Sequence, residues 1–224
     1  QEPYAYFMAP TDPRILAIHK ASWDFAQGWI GEEPIRAHAR AKAAEIGCVA
    51  IDPGAGATLR VLAAAAKAHN VVEIGTGAGV SALWLLDGMN DDGVLTSIDS
   101  EAEHQLIAKE ALSQSGISHN RVRLINGRVD EVLDRLTEKA YDLVFISGRP
   151  SELQGHIEAA ATLLRRGGVL VINNALWSEK VADPAQRDPE TVAMRTAIES
   201  LKDNDDYVSA LLPVGDGLLI AVKS

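Results

Sequence analysis

The chain has 224 residues, of which 47% are hydrophobic and 23% charged, ordinary usage for a folded chain and unlike a disordered one. Acids outnumber Lys and Arg by 31 to 21, a net charge of −10, and a surface of that sign repels phosphate backbones and anionic lipid, so neither a nucleic-acid nor a membrane partner is expected. Cys48 is the sole cysteine, which excludes an internal disulfide or a cysteine-rich zinc site; no apolar run approaches the ~18 residues of a membrane span, and Gln1–Pro10 shows no secretory signal, so a soluble cytoplasmic protein is expected.

From Ile15 to about Cys48 the chain reads as helices without strand signals. Asp12-Pro13 starts the first helix, Gly28 to Gly31 interrupt it, and Glu32-Glu33-Pro34 open a second that runs on through Arg36–Ile46. Ile51-Asp52-Pro53 leads into a third, Ala55–Ala68. From Asn70 the period changes, and short apolar runs at Val71–Ile74, Val94–Ile98, Val122–Ile125, Leu143–Ile146 and Val169–Ile172 alternate with helical stretches. Those stretches are Val80–Leu86, Glu101–Ser115, Asp130–Glu138 and Ser151–Arg166. Apolar strands separated by helices predict a parallel sheet covered on both faces, doubly wound by right-handed crossovers. After a helix near Glu190–Lys202, Tyr207–Leu212 and Leu218–Val222 flank Pro213-Val214-Gly215-Asp216-Gly217. A short Gly/Asp/Pro connection reads as a hairpin, which makes the last strand antiparallel. The expected fold class is therefore α/β: a doubly wound, mostly parallel seven-stranded sheet, Rossmann-like, with a C-terminal antiparallel hairpin. Residues 1–50 are expected to form a helical lid and dimerisation segment, and residues 51–224 the ligand-binding domain.

The first strand runs into Glu73-Ile74-Gly75-Thr76-Gly77-Ala78-Gly79-Val80-Ser81. Glycines at a strand-to-helix turn let backbone approach a ligand, and the helix N-terminus favours negative groups. A dinucleotide fingerprint needs its third glycine at position 80, where Val stands. That weighs against an NAD-dependent oxidoreductase. Asp99 closes the second strand, where an acid can accept both hydroxyls of a ribose or simply cap the next helix.

This glycine segment resembles motif I of class I S-adenosylmethionine-dependent methyltransferases, and more narrowly the catechol and caffeoyl-CoA type O-methyltransferases. Gly116-Ile117 to Gly127, Leu163-Leu164-Arg165-Arg166-Gly167-Gly168-Val169, Asn174-Ala175-Leu176-Trp177 and Leu212–Gly217 extend the likeness from about Ile51 to the C-terminus. The resemblance implies a methyltransferase fold, S-adenosylmethionine as cofactor, a small-molecule methyl acceptor and a homodimer. It places Glu73, Gly75, Thr76 and Ser81 at the methionine end, Asp99 at the ribose, Ser100 and Val129 beside the adenine, and Ile51 near the cofactor; Gly77 and Ser147 complete the set.

The family holds a divalent metal through acids after strands four and five, beside a lysine. Here Ser147, Asn173 and Asn174 stand at the ligand positions, Pro150 replaces the lysine, and Arg149 adds a positive charge. Mg²⁺ selects anionic oxygens, so no metal is expected at this site. Two readings follow. In one, methyl transfer to oxygen proceeds without metal; in the other, the protein binds S-adenosylmethionine but has lost catalysis and acts by binding or assembly. No general base is assigned: His19, His38, His104 and His156 read as partly exposed helix residues. Trp23, Trp29 and Trp177 read either as walls of an acceptor pocket or as packing residues.

Overall fold

The structure, a computed structural model, describes residues 13–224; the opening Gln1–Pro10 and the expected helix start at Asp12 lie outside them. The N-terminal part contributes α1 (Pro13–Gln27) and α2 (Pro34–Glu45), followed by α3 (Pro53–Ala65). Pro at the first turn of α2 and of α3 pre-sets the helical backbone where no N–H is required. The strands are β1 (Asn70–Ile74), β2 (Val94–Asp99), β3 (Val122–Asn126), β4 (Tyr141–Ile146), β5 (Leu164–Asn173), β6 (Tyr207–Leu212) and β7 (Leu218–Lys223). Between them lie α4 (Val80–Gly88), α5 (Ala102–Gln114), α6 (Val129–Leu133), α7 (Pro150–Leu163) and α8 (Pro189–Lys202).

One seven-stranded sheet results, in the order β3-β2-β1-β4-β5-β7-β6. β1 to β5 are parallel, and β7 returns antiparallel against β5 with Val169 opposite Val222. Successive strand residues face opposite layers. Val71, Leu143 and Phe145 thus join the core beneath α3, α4 and α5, whereas Val72, Val144 and Ile146 join the one beneath α6, α7 and α8. No helix of the described residues is long and apolar enough to cross a membrane.

Two boundaries differ from expectation. α6 ends at Leu133 and not near Glu138, because Arg135 and Leu136 donate their amides to carbonyls only three residues back and tighten the chain into turns. α7 gives way at Leu164 to a β5 that starts earlier than its apolar run. Leu164 pairs with Tyr141, a register shift follows, and Gly167 takes a left-handed φ of +73°. The side chain of Arg165 anchors this irregular stretch by donating to Asp142 at 2.7 Å.

The N-terminal helices are tied to the sheet layer through Trp84. Its indole is fully buried, and the guanidinium of Arg36 on α2 lies 3.9 Å from the ring centroid while donating to Asp87 at 2.9 Å. On the α3 side a Cβ at Gly56 would fall 2.3 Å from the indole nitrogen, so only glycine admits this approach. Trp84→Ala therefore removes the packing of α2 and α3 on α4 together. It should lower unfolding free energy by about 3–5 kcal/mol, read as a shift in the urea midpoint, and a shift below about 1 kcal/mol would show that this junction is not part of the core.

Candidate functional site

The C-terminal ends of β1, β2 and β4 meet at one point. β1 lies between β2 and β4, and the chain reverses direction of growth there after β3, which opens a crevice at the strand ends. The Gly75 amide donates to the Ile98 carbonyl and the Ser147 amide to the Ile74 carbonyl, both at 2.8 Å. Gly75 has φ +91°, and a Cβ there would lie 1.9 Å from the Ser147 carbonyl oxygen. No other residue fits. The turn ends at Gly79, also left-handed at φ +85°, and α4 begins without a side-chain cap, so its first amides remain free to meet a ligand.

Behind this turn lies a chain of hydrogen bonds. Gln105 Nε2 donates to Thr76 Oγ1 at 2.8 Å, Thr76 and Ser97 hydroxyls stand 2.7 Å apart, and Ser97 donates to Glu73 Oε2. Since the Ser97 proton goes to the carboxylate, Thr76 must be the donor to Ser97. Ser81 Oγ donates to the other oxygen of Glu73 at 2.6 Å. Glu73 is wholly buried; burial pushes its carboxyl up to about 7 against the pull of the two serine donors.

Asp99 faces the crevice from the end of β2. Its Oδ2 accepts the Gly77 amide at 2.9 Å and its Oδ1 accepts the Glu101 amide at 2.9 Å. His104 Nδ1 stands 3.3 Å from Oδ2. The crevice holds a cavity of about 230 Å³. Ile51, Gly75, Thr76, Gly77, Ser81, Asp99, Ser100, Val129 and Ser147 all line it. Glu73, expected at the methionine end, does not: both of its oxygens are used behind the turn, and the side chain supports Ser81 and Thr76 from below.

Other lining residues were given no site role by sequence reasoning. Cys48 faces Gly77, 3.1 Å from where a Cβ would sit, and burial pushes its thiol up, so it stays protonated. No local pattern marks it. His156, read from sequence as partly exposed, is instead buried, with burial holding its imidazole below the usual histidine range. Its position after β4 was legible; its burial was not, because that depends on α7 folding back over the β4 loop.

A second cavity, of about 770 Å³, is walled by Trp23, Trp177, Asn174 and Asp216 and shares Val49 with the first. Trp29 does not line it and is 69% exposed. The loop after β5 is unusual: Asn174, Trp177, Ser178 and Glu179 all have left-handed φ between 50° and 65°, conformations kept only where surrounding bonds impose them. Asp216 supplies these bonds, its two oxygens each accepting the Ser178 amide at 2.8 Å. At the expected metal positions Asn173 Nδ2 donates to Ser147 Oγ at 3.4 Å. That pair offers a hydroxyl and an amide with no formal charge, and such a donor set does not fit Mg²⁺.

Comparison with known proteins agrees in sequence and in shape. A family model described as O-methyltransferase matches residues 33–224. A Mycobacterium ulcerans protein provisionally named an O-methyltransferase is 44% identical over 96% of this chain and 93% of its own length. A solved Corynebacterium glutamicum structure superposes with a TM-score of 0.84 at 35% identity, over 93% of this chain and 97% of that one. TomG, an O-methyltransferase of Streptomyces achromogenes involved in tomaymycin synthesis and crystallised with S-adenosylmethionine, gives 0.81 at 25% identity, over 92% and 96%.

The Glu73 environment has a measurable consequence. A carboxyl whose folded value lies near 7, above the unfolded 4.5, binds protons more tightly when folded, so its own contribution to stability is full below 4.5 and is lost as pH rises through 7. Glu73→Gln removes this titration. Between pH 4.5 and 7 the variant should gain on the parent by on the order of 2–3 kcal/mol in urea unfolding, and a pH-independent difference between the two would refute the assignment.

Proposed function

Because the chain belongs to the O-methyltransferase family and is an S-adenosylmethionine-dependent enzyme, we propose that the crevice at the end of β1 is its cofactor site, serving methylation of a small-molecule oxygen without a divalent metal. The observation that carries this reading is the convergence of Ile51, the Gly75–Gly77 turn, Ser81, Asp99, Ser100, Val129 and Ser147 on a single cavity at the switch point. Each residue then has a physical task. The free amides at the start of α4 and the Ser81 backbone meet the amino-acid carboxylate. Asp99 accepts from the ribose hydroxyls, Ser100 and Val129 flank the base, and Ile51 closes the cavity from the N-terminal side. Glu73 acts only through Ser81 and Thr76, by fixing the turn they stand on.

When bound, the cofactor supplies an activated methyl group on a cationic sulfur. The protein's part is to hold an acceptor in line with it and keep water out, and positioning of that kind is worth about 7–11 kcal/mol. We place the acceptor in the neighbouring cavity, between Trp23 and Trp177, where Val49 joins the two spaces. The neutral Ser147–Asn173 pair and Pro150 in place of a lysine support metal-free transfer to an acceptor that needs little help to ionise. Within the same proposal, residues 1–50 form the lid, and the exposed apolar side chains of Phe25 and Trp29 support pairing with a second copy.

Incubation with S-adenosylmethionine and a panel of phenols and carboxylic acids should yield S-adenosylhomocysteine with at least one acceptor, at rates equal in EDTA and in Mg²⁺. A rate that needs Mg²⁺ overturns the metal-free reading, and cofactor binding without product across the panel favours a protein that only binds. Asp99→Asn should weaken S-adenosylmethionine binding about tenfold or more in calorimetric titration, the size expected for charge-assisted hydrogen bonds. Unchanged affinity would remove Asp99 from the site.

A further inference from the structure

His156 stands on the second turn of α7 and exposes only 7% of its surface. Its Nδ1 is buried without a hydrogen-bond partner among the described residues. Desolvation keeps the ring neutral at pH 7, although Glu152 one turn earlier and Asp130 on α6 pull the other way. A neutral imidazole carries one donor and one acceptor, and buried polar groups are almost always satisfied, because leaving one unpaired is costly. Nδ1 is too enclosed to meet a ligand, so a partner from outside the chain falls to the other ring nitrogen, which is not enclosed and forms no hydrogen bond among the described residues.

The place of the ring indicates which partner. His156 lines the crevice cavity and also an adjoining one of about 470 Å³, and the two share Ser100, Val129 and Glu152 as well. Ser100 and Val129 are the residues that the cofactor reading sets beside the base. The ring also abuts the β4 loop, with a Cβ at Gly148 falling 3.7 Å from its Nδ1 and Cε1. His156 does not line the cavity walled by Trp23 and Trp177, which argues against a role as base toward the acceptor.

We propose that His156 is a specificity contact for the nucleobase of the methyl donor, its imidazole hydrogen-bonded to the polar edge of the purine. The proposal rests on the crevice being the cofactor site. Adenine presents both an exocyclic amine donor and ring-nitrogen acceptors, which suits a neutral imidazole of either tautomer.

The test titrates the full chain with S-adenosylhomocysteine and with S-inosylhomocysteine, in which the amine is replaced by a carbonyl oxygen and N1 gains a proton. The parent should prefer the adenine form by about tenfold or more, the size of one or two hydrogen bonds. His156→Phe should weaken adenine-form binding by a similar factor and narrow the preference, and His156→Gln, which retains a donor and an acceptor, should recover part of both. On the unsubstituted protein, saturating S-adenosylhomocysteine should shift the His156 ring nitrogens in ¹⁵N NMR, a readout that stands even if the variants fail to fold. A folded His156→Phe with unchanged affinity and preference, or ring nitrogens that do not move, overturns the proposal. Failure of the unsubstituted protein to bind S-adenosylhomocysteine overturns the cofactor site itself, and with it this contact.

Discussion

The buried carboxyl of Glu73 ties together the elements that meet at the end of β1. It receives Ser81 from α4 and Ser97 from β2, and through Ser97 and Thr76 it is linked to Gln105 on α5. A carboxyl taken wholly out of water is tolerated only when its lone pairs are filled, and here each oxygen has a hydroxyl. In the ionised form the hydroxyl chain runs in one direction, each proton pointing toward the carboxylate, so every bond polarises the next. That constraint holds the strand-to-helix turn rigid, with Gly75 pressed on the Ser147 carbonyl in a space that a methyl group would fill.

From this fixed turn the two cavities take different characters. The crevice side offers directed donors and acceptors: the α4 amides, the Asp99 carboxylate and the backbone of Gly75–Gly77. The cavity proposed for the acceptor sets Trp23 and Trp177 among the acids Asp52, Glu179 and Asp216, whereas Ser147 of the neutral Ser147–Asn173 pair lines the crevice. An ion with a firm hydration shell gains little from that pair. A planar organic molecule finds a face to stack on at the two indoles. The character of each cavity therefore follows from which strand end its loops leave: the crevice from β1, β2 and β4, the second cavity from β5 and the β6–β7 hairpin.

The loop after β5 depends on the terminal hairpin in the same way. Asp216 and Gly217 accept amides from Ala175, Leu176 and Ser178, and these bonds keep four non-glycine residues left-handed, Trp177 among them. The hairpin thus sets the orientation of the wall opposite Trp23. At the other end Arg36 and Trp84 dock α2 onto α4, and Gln27 at the end of α1, the helix that carries Trp23, lies against Gly54 of α3.

Much of this was legible in the linear chain because its causes are local. Alternating apolar runs and helices define the parallel strands, the Pro213–Gly217 connection defines the antiparallel return, and glycines at 75, 77 and 79 mark a turn that only such residues can make. The types at Ser147, Asn173 and Pro150 are likewise enough to predict the loss of charge at the metal positions. Tertiary structure alone decided which side of the turn each polar group occupies. Glu73 and Asp99 are both acids near strand ends and share a face of the sheet by register, yet one is sealed behind the loop and the other faces the cavity, because Glu73 lies one residue short of the end of β1 between Ser81 and Ser97, whereas Asp99 is the last residue of β2. His156 and Cys48 became cavity residues for a similar reason: burial is a property of the elements folded over a side chain, and no residue type or spacing encodes it.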